Sequence, residues 1–364
     1  MRILHIHTAF DTGGIETFVT ALVNQIAQQG HELHVCSIFQ PDASTICWNR
    51  LDQRIIRHTL GKTRRGFSLR EPFAILRLIR NIRPDVVHVH GFIAYYMLSV
   101  LLFHRRIHFV YTLHSTAEKE GNQWDSRLHL LKHFFFRHGW ITAVTISHES
   151  DLSFDNYYHY CPRQLIYNGI ELPTSAPCPK DEWLFIHAGR ITEAKNQLML
   201  CRVFRRLVEE GYPIKLQIAG ELQDESIFHQ MEAYLCPQIE YIGRQADIPQ
   251  RMSAAGAMCL PSLWEGMPIT LFEALATRCI PICTAVGGIK DVITDGENGF
   301  LAEQISDESY YQALMRYIRL SVADRTRMRN NSQLTAQRYD IATTAQQYIH
   351  LYKHANLTAP IKPC

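Results

Sequence analysis

Apolar and polar positions alternate along this chain in two rhythms, one close and one spaced. "RILHIH" is a short apolar run; "TAFDTGG" follows, and then "IETFVTALVNQIAQQG", whose apolar residues recur every three or four positions. That succession predicts a strand, a glycine-rich turn and an amphipathic helix that stops at Gly30. "HELHVCSIF" predicts a second strand. "EPFAILRLIRNIRP" predicts a helix with arginines on one face, closed by Pro84, and "DVVHVHG" another buried strand. "GFIAYYMLSVLLFHR" predicts a helix, "IHFVYTLHS" a strand, and "WITAVTISHES" a strand leading into a helix. Continuous apolar strands alternating with helices argue for a parallel sheet covered on both faces.

The alternation pauses at "LIYNGIELPTSAPCPKDE", where Pro173, Pro177 and Pro179 mark a linker. It then restarts with strand "WLFIHAG", helix "NQLMLCRVFRRLVEEG", strand "IKLQIAG", helix "DESIFHQMEAYL" and strand "IEYIG". "DIPQRMSAAG" predicts a helix, "AMCLPS" a strand, "PITLFEALATR" a helix and "CIPICTAV" a strand. "GGIKDVITDGENGFLAE" adds a short helix and a strand, and the tail from Asp307 is helical. At 364 residues the chain exceeds the size at which a single core stops growing. The expected fold class is therefore α/β, with two doubly wound Rossmann-like domains, 1–171 and 172–340.

Composition changes this picture little: 46% apolar and 20% charged residues describe an ordinary globular protein. Charge distribution says more than the net +2. Residues 50–110 hold twelve Lys/Arg against three acids, a local excess that suits phosphates, nucleic acid or an anionic membrane surface, or is a solvated helical face. A nucleic-acid partner is set aside, because interleaved surface aromatics and a second supporting motif are missing. Ten cysteines are scattered singly without a CxxC pair, the usage of a reducing compartment. "MRILHIHTAF" lacks the apolar core of a signal peptide. The greasy run Phe92–Phe103 falls short of the roughly 20 residues that span a bilayer. The expectation is a cytoplasmic protein with peripheral contact on the inner face of the plasma membrane.

Ligands of such sheets bind beyond the carboxyl ends of the strands. Those ends deliver Gly13–Gly14, His90–Gly91, His114–Ser115, Gly189–Arg190, Gly220–Glu221, Gly243–Arg244, Glu265–Gly266 and Gly287–Gly288. "FDTGGIE" is not a dinucleotide fingerprint, but its two glycines let amides at a helix N-terminus approach an anion; a plain tight turn accounts for it equally. "HAGRITEAKN" sets Arg190 and Lys195 past a strand, a fork and a point charge suited to a diphosphate. In "WEGMPITLFEAL", Pro268 suits the first helical position, Glu265 precedes the helix, and Glu273 lies about a turn and a half inside. The first amides, on Ile269 and Thr270, favour phosphate, and each glutamate suits a vicinal diol unless both are merely solvated. Two diols flanking a diphosphate describe a nucleotide sugar. His5/His7 and His88/His90 each share a strand face, but no carboxylate or cysteine has matching spacing, so no metal site is expected.

These motifs together, with "IYNGI", "DVVHVHG", "YTLHS" and "AVGGIKDVITDGENGFL", resemble the retaining glycosyltransferases of family 4, which have the GT-B fold, over nearly the whole chain. The resemblance implies that Glu273 holds the nucleotide ribose and Glu265 the donor-sugar hydroxyls, that Arg190 and Lys195 grip the diphosphate, and that Gly13, Gly14 and His114 line the reaction site from the other domain. It implies Gly266, Met267, Ile269 and Thr270 as donor neighbours and a last helix, near 341–356, that crosses back onto the first domain. Pro268 departs from the pattern, standing where a glycine is frequent and removing one amide. The expected activity is transfer of a sugar from a nucleoside-diphosphate sugar, UDP before GDP, to a hydroxyl of a glycan or lipid-linked acceptor in surface-polysaccharide assembly. Arg190, Lys195, His114 and Glu265 would carry catalysis, with no metal and no cofactor. A non-catalytic nucleotide-sugar-binding module and a nucleotide-sugar epimerase of the same fold are the alternatives.

Overall fold

The structure, a computed structural model, describes the chain apart from residues 12, 43–44, 65, 67, 92, 121–127, 174–177 and 355–364 and the side chains of 93 and 94. Thr12 of the glycine-rich turn, Arg65 of the basic stretch, Phe92 of the greasy run and Pro177 of the linker thus lie outside the described residues. The chain divides into two compact units, Met1–Glu171 with Ile341–Cys364, and Leu172–Asp340.

In the first unit, strands β1 (Arg2–His7), β2 (Glu32–Phe39), β3 (Ile56–Lys62), β4 (Val86–His90), β5 (His108–Thr112), β6 (Ile141–Thr145) and β7 (Arg163–Leu165) form one sheet in the order β3-β2-β1-β4-β5-β6-β7. Every pairing is parallel. Side chains alternate across a strand, so each strand feeds two faces. One face is apolar: Leu4, Ile6, Val87, Val89, Phe109 and Tyr111 pack with Ile75, Ile79, Phe135, Phe136 and Phe154. Burial of such side chains contributes roughly 1.5–3 kcal/mol each. The other face carries His5, His7, His88, His90 and Thr112, all buried. Register sets His5 beside His88 and His7 beside His90. Two helices, Gly14–Ala27 and the C-terminal Ile341–His354, lie against each other and cover that face: Phe18 meets His114 and Tyr348 with ring centroids 6.1 and 6.5 Å apart, and Tyr348 meets His88 at 5.1 Å. The chain enters this last helix at Ile341, whose amide donates to the Ile170 carbonyl at 2.9 Å. Only a glycine fits where the two strands of chain touch, since a Cβ on Gly169 would come within 2.9 Å of the Ile341 Cα.

In the second unit, β8 (Asp181–Ala188), β9 (Lys215–Ala219), β10 (Ile239–Gly243), β11 (Ala255–Leu260), β12 (Ile280–Thr284) and β13 (Phe300–Ala302) are ordered β10-β9-β8-β11-β12-β13, again all parallel. Its core sets Phe185 edge-on to Phe204 and Tyr317 at 5.2 and 5.3 Å. The buried phenols are paired: Tyr310 donates to the Ile282 carbonyl at 2.7 Å and Tyr317 to the Glu182 carbonyl at 3.0 Å. In both sheets the order reverses once, at β1/β4 and at β8/β11. A doubly wound sheet opens its crevice at such a point.

The α/β alternation is as read from the sequence, with local differences. β3 and β7 were not anticipated, because they are short or edge strands with few fully buried positions and present no apolar run. The helix His129–Arg137 was missed as well. The expected helix over "GFIAYYMLSVLLFHR" is a 3-10 turn, Ile93–Tyr96, followed by the helix Met97–Phe103. Pro268 is not the first helical residue but the N-cap, extended at φ −71° and ψ 122°, and the helix runs Ile269–Ala276. The ring blocks an amide at either position, so the electrostatic argument is unchanged.

Candidate functional site

At the β8/β11 reversal, β8 delivers Gly189 and Arg190, and a 3-10 turn, Glu193–Lys195, follows. β11 delivers Ser262 and Glu265 before the helix Ile269–Ala276. The two loops are stitched to each other: the Leu263 amide donates to the Ala194 carbonyl at 2.8 Å, and the Asn196 side chain, through Nδ2, to the Pro261 carbonyl at 3.2 Å. Side chains 70 residues apart then meet. Lys195 Nζ donates to Glu265 Oε1 at 2.5 Å, and Ser262 Oγ donates to the same oxygen at 2.6 Å. The Glu265 side chain is 9% exposed and that of Lys195 20%, so solvent screens this pair only in part. Arg190 is exposed, and its guanidinium has no partner among the described residues.

Gly266 and Met267 continue the Glu265 loop and are pinned by the turn after β12. The Gly288 amide donates to the Gly266 carbonyl at 2.8 Å. Gly287 has φ +56°, and a Cβ there would sit 2.1 Å from the Glu265 carbonyl oxygen, so no side chain is tolerated. Thr270 and Glu273 share the partly exposed stripe of an otherwise buried helix, one turn apart. The amides of Ile269 and Thr270 are at its first turn, where no intrahelical acceptor exists.

Three supports of this site were missed. Gln197, fully buried, donates from Nε2 to the Arg190 carbonyl at 2.8 Å and faces His187 Nε2 at 3.1 Å. His187 Nδ1 lies 2.9 Å from the Cys259 carbonyl and must donate to it, which leaves Nε2 bare to accept from Gln197. Burial holds this imidazole down to about 4, so it stays neutral. Ser262 is the third. Polar residues inside otherwise apolar runs, as in "LFIHAG", were the available signal.

Gly13, Gly14 and His114 belong to the first unit. Gly13 is the N-cap of the helix Gly14–Ala27, and a Cβ on it would sit 2.3 Å from Glu16 Oε2. Glu16 Oε1 in turn lies 3.5 Å from His7 Nε2. His114 follows β5 at the same edge, nine-tenths buried, and its Nε2 lies 3.1 Å from His90 Nδ1. Its backbone is held by Glu120, also unanticipated, whose carboxylate accepts from the His114 amide, from the Ser115 amide at 3.1 Å and from the Tyr111 hydroxyl. Enclosure pushes the Glu120 carboxyl up to about 7, against the pull of those bonds.

His5, His88 and His90 bring ring nitrogens within 4.8 Å of one another, a grouping able to hold a metal ion. All six of their nitrogens already have hydrogen-bond partners, including Tyr352 and Thr112, and among the described residues no carboxylate or thiolate joins them. That donor set favours hydrogen bonding over a dication.

Of the basic stretch, several cations are engaged. Lys62 pairs with Glu71 at 3.3 Å, Arg54 with Asp52 at 2.7 Å, and Arg57 donates to the Leu51 carbonyl. Arg70, Phe73, Arg77 and Arg80 share the exposed face of the helix Arg70–Ile82, and Leu101, Leu102, Arg105 and Arg106 are exposed at the end of the next one. Among the described residues no helix is long and apolar enough to cross a membrane.

Residues 12–173 match the family model described as Glycosyltransferase Family 4, and residues 171–335 the model described as Glycosyl transferases group 1. The chain is 24% identical over 277 residues to a UDP-Gal:alpha-D-GlcNAc-diphosphoundecaprenol alpha-1,3-galactosyltransferase of Escherichia coli, covering 68% of this chain and 70% of that one. It is 24% identical over 378 residues to the capsular polysaccharide biosynthesis glycosyltransferase CapH of Staphylococcus aureus, covering 98% and 100%. Among solved structures, Anabaena Alr3699/HepE in complex with UDP-glucose matches with a TM-score of 0.76 at 17% identity, over 97% of this chain and 99% of that one, a likeness of fold.

Proposed function

The chain belongs to the family 4 glycosyltransferases of the GT-B fold, and on that premise we propose that its second unit holds a UDP-sugar and its first unit the acceptor. The enzyme moves a sugar from a nucleoside-diphosphate sugar to an acceptor hydroxyl, with retention and without a metal ion, in polysaccharide or lipid-linked glycan synthesis. Uridine as the base is supported by a relative named for UDP-Gal and by a structural neighbour in complex with UDP-glucose.

The observation that carries the site assignment is the Lys195–Glu265 pair, with Ser262 on the same oxygen, beside the helix amides. Lys195 and Arg190 take the diphosphate, Glu265 the sugar hydroxyls and Glu273 the ribose. Donor binding then exchanges the Lys195–Glu265 bond for bonds to ligand oxygens. In the reaction the anomeric C–O bond to the diphosphate breaks and a C–O bond to the acceptor forms. The acceptor proton passes to the departing phosphate oxygen. What the protein supplies is charge stabilisation by Lys195, Arg190 and the amides of Ile269 and Thr270.

Glu273→Ala weakens binding of free UDP as well as donor, since both contain ribose; Glu265→Ala spares UDP and weakens the donor. Calorimetric titration of both variants with both ligands tests this, and equal effects of the two substitutions would refute the division. Peripheral contact with an anionic membrane is part of the same proposal, supported by the exposed Arg70, Phe73, Arg77, Arg80 face and by Leu101, Leu102, Arg105 and Arg106. It places the enzyme at the cytoplasmic surface, beside lipid-linked acceptors.

A further inference from the structure

Seven buried side chains of the first unit form one unbroken row. Tyr348 Oη lies 3.1 Å from Thr112 Oγ1, which lies 2.8 Å from His88 Nε2. His88 Nδ1 lies 2.6 Å from Tyr352 Oη, and that oxygen lies 3.4 Å from His5 Nε2. His5 Nδ1 meets His90 Nε2 at 3.1 Å, and His90 Nδ1 meets His114 Nε2 at 3.1 Å. Burial depresses all four imidazoles, to about 3 for His5 and His114 and well below the ordinary value for His88 and His90. Each ring is therefore neutral, with one donor nitrogen and one acceptor.

A row of such rings points one way or the other. A ring that accepts on Nε2 gives from Nδ1, and the next must do the same. If Tyr348 starts the row by donating to Thr112, all four histidines carry their proton on Nδ1. The one unmatched donor is then His114 Nδ1–H, an atom that has no partner among the described residues. If the row runs the other way, all four carry it on Nε2. The Tyr348 phenol is fully buried and its hydroxyl meets Thr112 alone among the described residues, so it then holds a proton with no acceptor among them. An unmatched donor in the core is destabilising, and no ligand relieves it there. At His114 a ligand can, because this residue follows β5 at the edge that also carries His7, Glu16 and the glycine N-cap of the helix Gly14–Ala27.

We propose that the row runs from Tyr348 to His114, so that His114 offers Nδ1–H to an oxygen of the bound substrate and is not a base for the acceptor hydroxyl. Tyr348, Thr112, His88, Tyr352, His5 and His90 are positioning residues, two of them supplied by the C-terminal helix. The role given to His114 rests on the reading of this unit as a substrate-binding half; the direction of the row does not.

The test is nuclear magnetic resonance of the full chain with ¹⁵N-labelled histidine, correlating ring nitrogens with ring carbon-bound protons. His114→Gln identifies the His114 signals. All four buried rings are expected as Nδ1–H tautomers, the form disfavoured by free histidine in water. His114 protonated on Nε2, doubly protonated, or mixed in the unaltered protein would overturn the inference. So would one bound zinc per chain at His5, His88 and His90, since a ligated nitrogen carries no proton. Tyr352→Phe cuts the row and leaves the His5–His90–His114 segment without a preferred direction, so His114 becomes a mixture of tautomers. Thr112→Val loosens it in the same way should the first variant fail to fold. A His114 signal unmoved in the folded variants would sink the positioning role. His114→Ala is expected to lower the transfer rate about a hundredfold. Transfer at the unaltered rate with an Nδ1–H spectrum would refute the substrate role while the row stands. A collapsed rate with an Nε2–H spectrum would refute the row while the substrate reading stands.

Discussion

The polar residues at the two sheet reversals are of opposite kinds. At β1/β4 they are neutral imidazoles, hydroxyls and phenols in a buried row; at β8/β11 they are an ammonium, a carboxylate and a guanidinium, with one neutral histidine behind them. A parallel sheet buries both faces, so a polar group within it must be satisfied by neighbours. Ions can be kept only past the strand ends, where a ligand and water share them. The second unit holds its charges there, on loops. On β1, β4 and β5 of the first unit the polar groups run down the strands themselves, and those buried there are uncharged side chains. One half keeps ions at its strand ends, and the other lines its strands with neutral hydrogen-bonding groups.

Acid separates the two most strongly. His5, His88, His90 and His114 have folded values below the ordinary 6.5, so the stability they carry is present above that value and is lost as pH falls toward their folded values. Glu120 is raised to about 7 and acts oppositely: its contribution is present at low pH and lost as pH rises through about 7. Moving from pH 7.5 to 5.5 costs about 1.4 kcal/mol for each of these four histidines and for His108, which burial holds down to about 4, and Glu120 returns about 2, so the first unit loses about 5 kcal/mol. The second unit, with His187 alone in this class, loses about 1.4. Urea unfolding at both pH values, with proteolytic fragments assigned to each unit by mass spectrometry, checks this. Equal losses in the two units would break the comparison.

Lys195→Ala comes next. It removes the ammonium proposed to take the diphosphate and leaves Glu265 with Ser262 on that oxygen, and about 3 kcal/mol of transition-state stabilisation, roughly a hundredfold in rate, should go. Arg190→Ala should behave alike, without the loss of a partner for Glu265. Turnover near normal in both, with the fold intact, would remove the anion-gripping role from this half.

Gln197→Leu sharpens the contrast between an ion and its neutral support. It strips the Arg190 carbonyl and His187 of a donor and should cost about 1–2 kcal/mol of stability in the second unit. Activity should fall through slower turnover of bound donor, because the loop bearing Arg190 loosens. Unchanged melting and rate together would show that the loop needs no such brace.

Much of this was legible in the sequence, and the rest was hidden for physical reasons. Strand-end loops announce themselves through glycine, proline and charge in short windows, so Arg190, Lys195, Glu265 and Glu273 could be named from spacing. His88 and His90 were visible as a pair on one strand, but not their bonds to Tyr352 and His5, which depend on register and on a helix more than 250 residues away. Gln197 and Ser262 look like ordinary polar residues until the fold places each against a site residue. β3 carries its inward positions on His58, Leu60 and Lys62, a pattern too mixed to stand out from the basic stretch around it.

The smallest effect concerns the outer surface of the first unit. Each arginine close to an anionic bilayer contributes about 1 kcal/mol, and salt screens it as the Debye length drops from about 10 Å at 0.1 M to about 3 Å at 1 M. The enzyme should sediment with anionic liposomes and not neutral ones, reversibly in high salt. Arg77→Glu with Arg80→Glu should weaken this and leave donor binding unchanged. Indifference to anionic liposomes at low salt would make that face merely solvated.

The crossing at Gly169 and Ile341 sets a timetable for the ribosome. The first 171 residues emerge without the helix that covers their histidine face, and synthesis at about 5–20 residues per second delays it by roughly ten to thirty seconds. Through that interval the nascent sheet exposes imidazoles to water, while the second unit, contiguous in the chain, is free to fold. A transcript cut short before Ile341 would therefore yield a finished second unit attached to an uncapped first one. The helix Ile341–His354 is a structural part of the first unit and not an appendage.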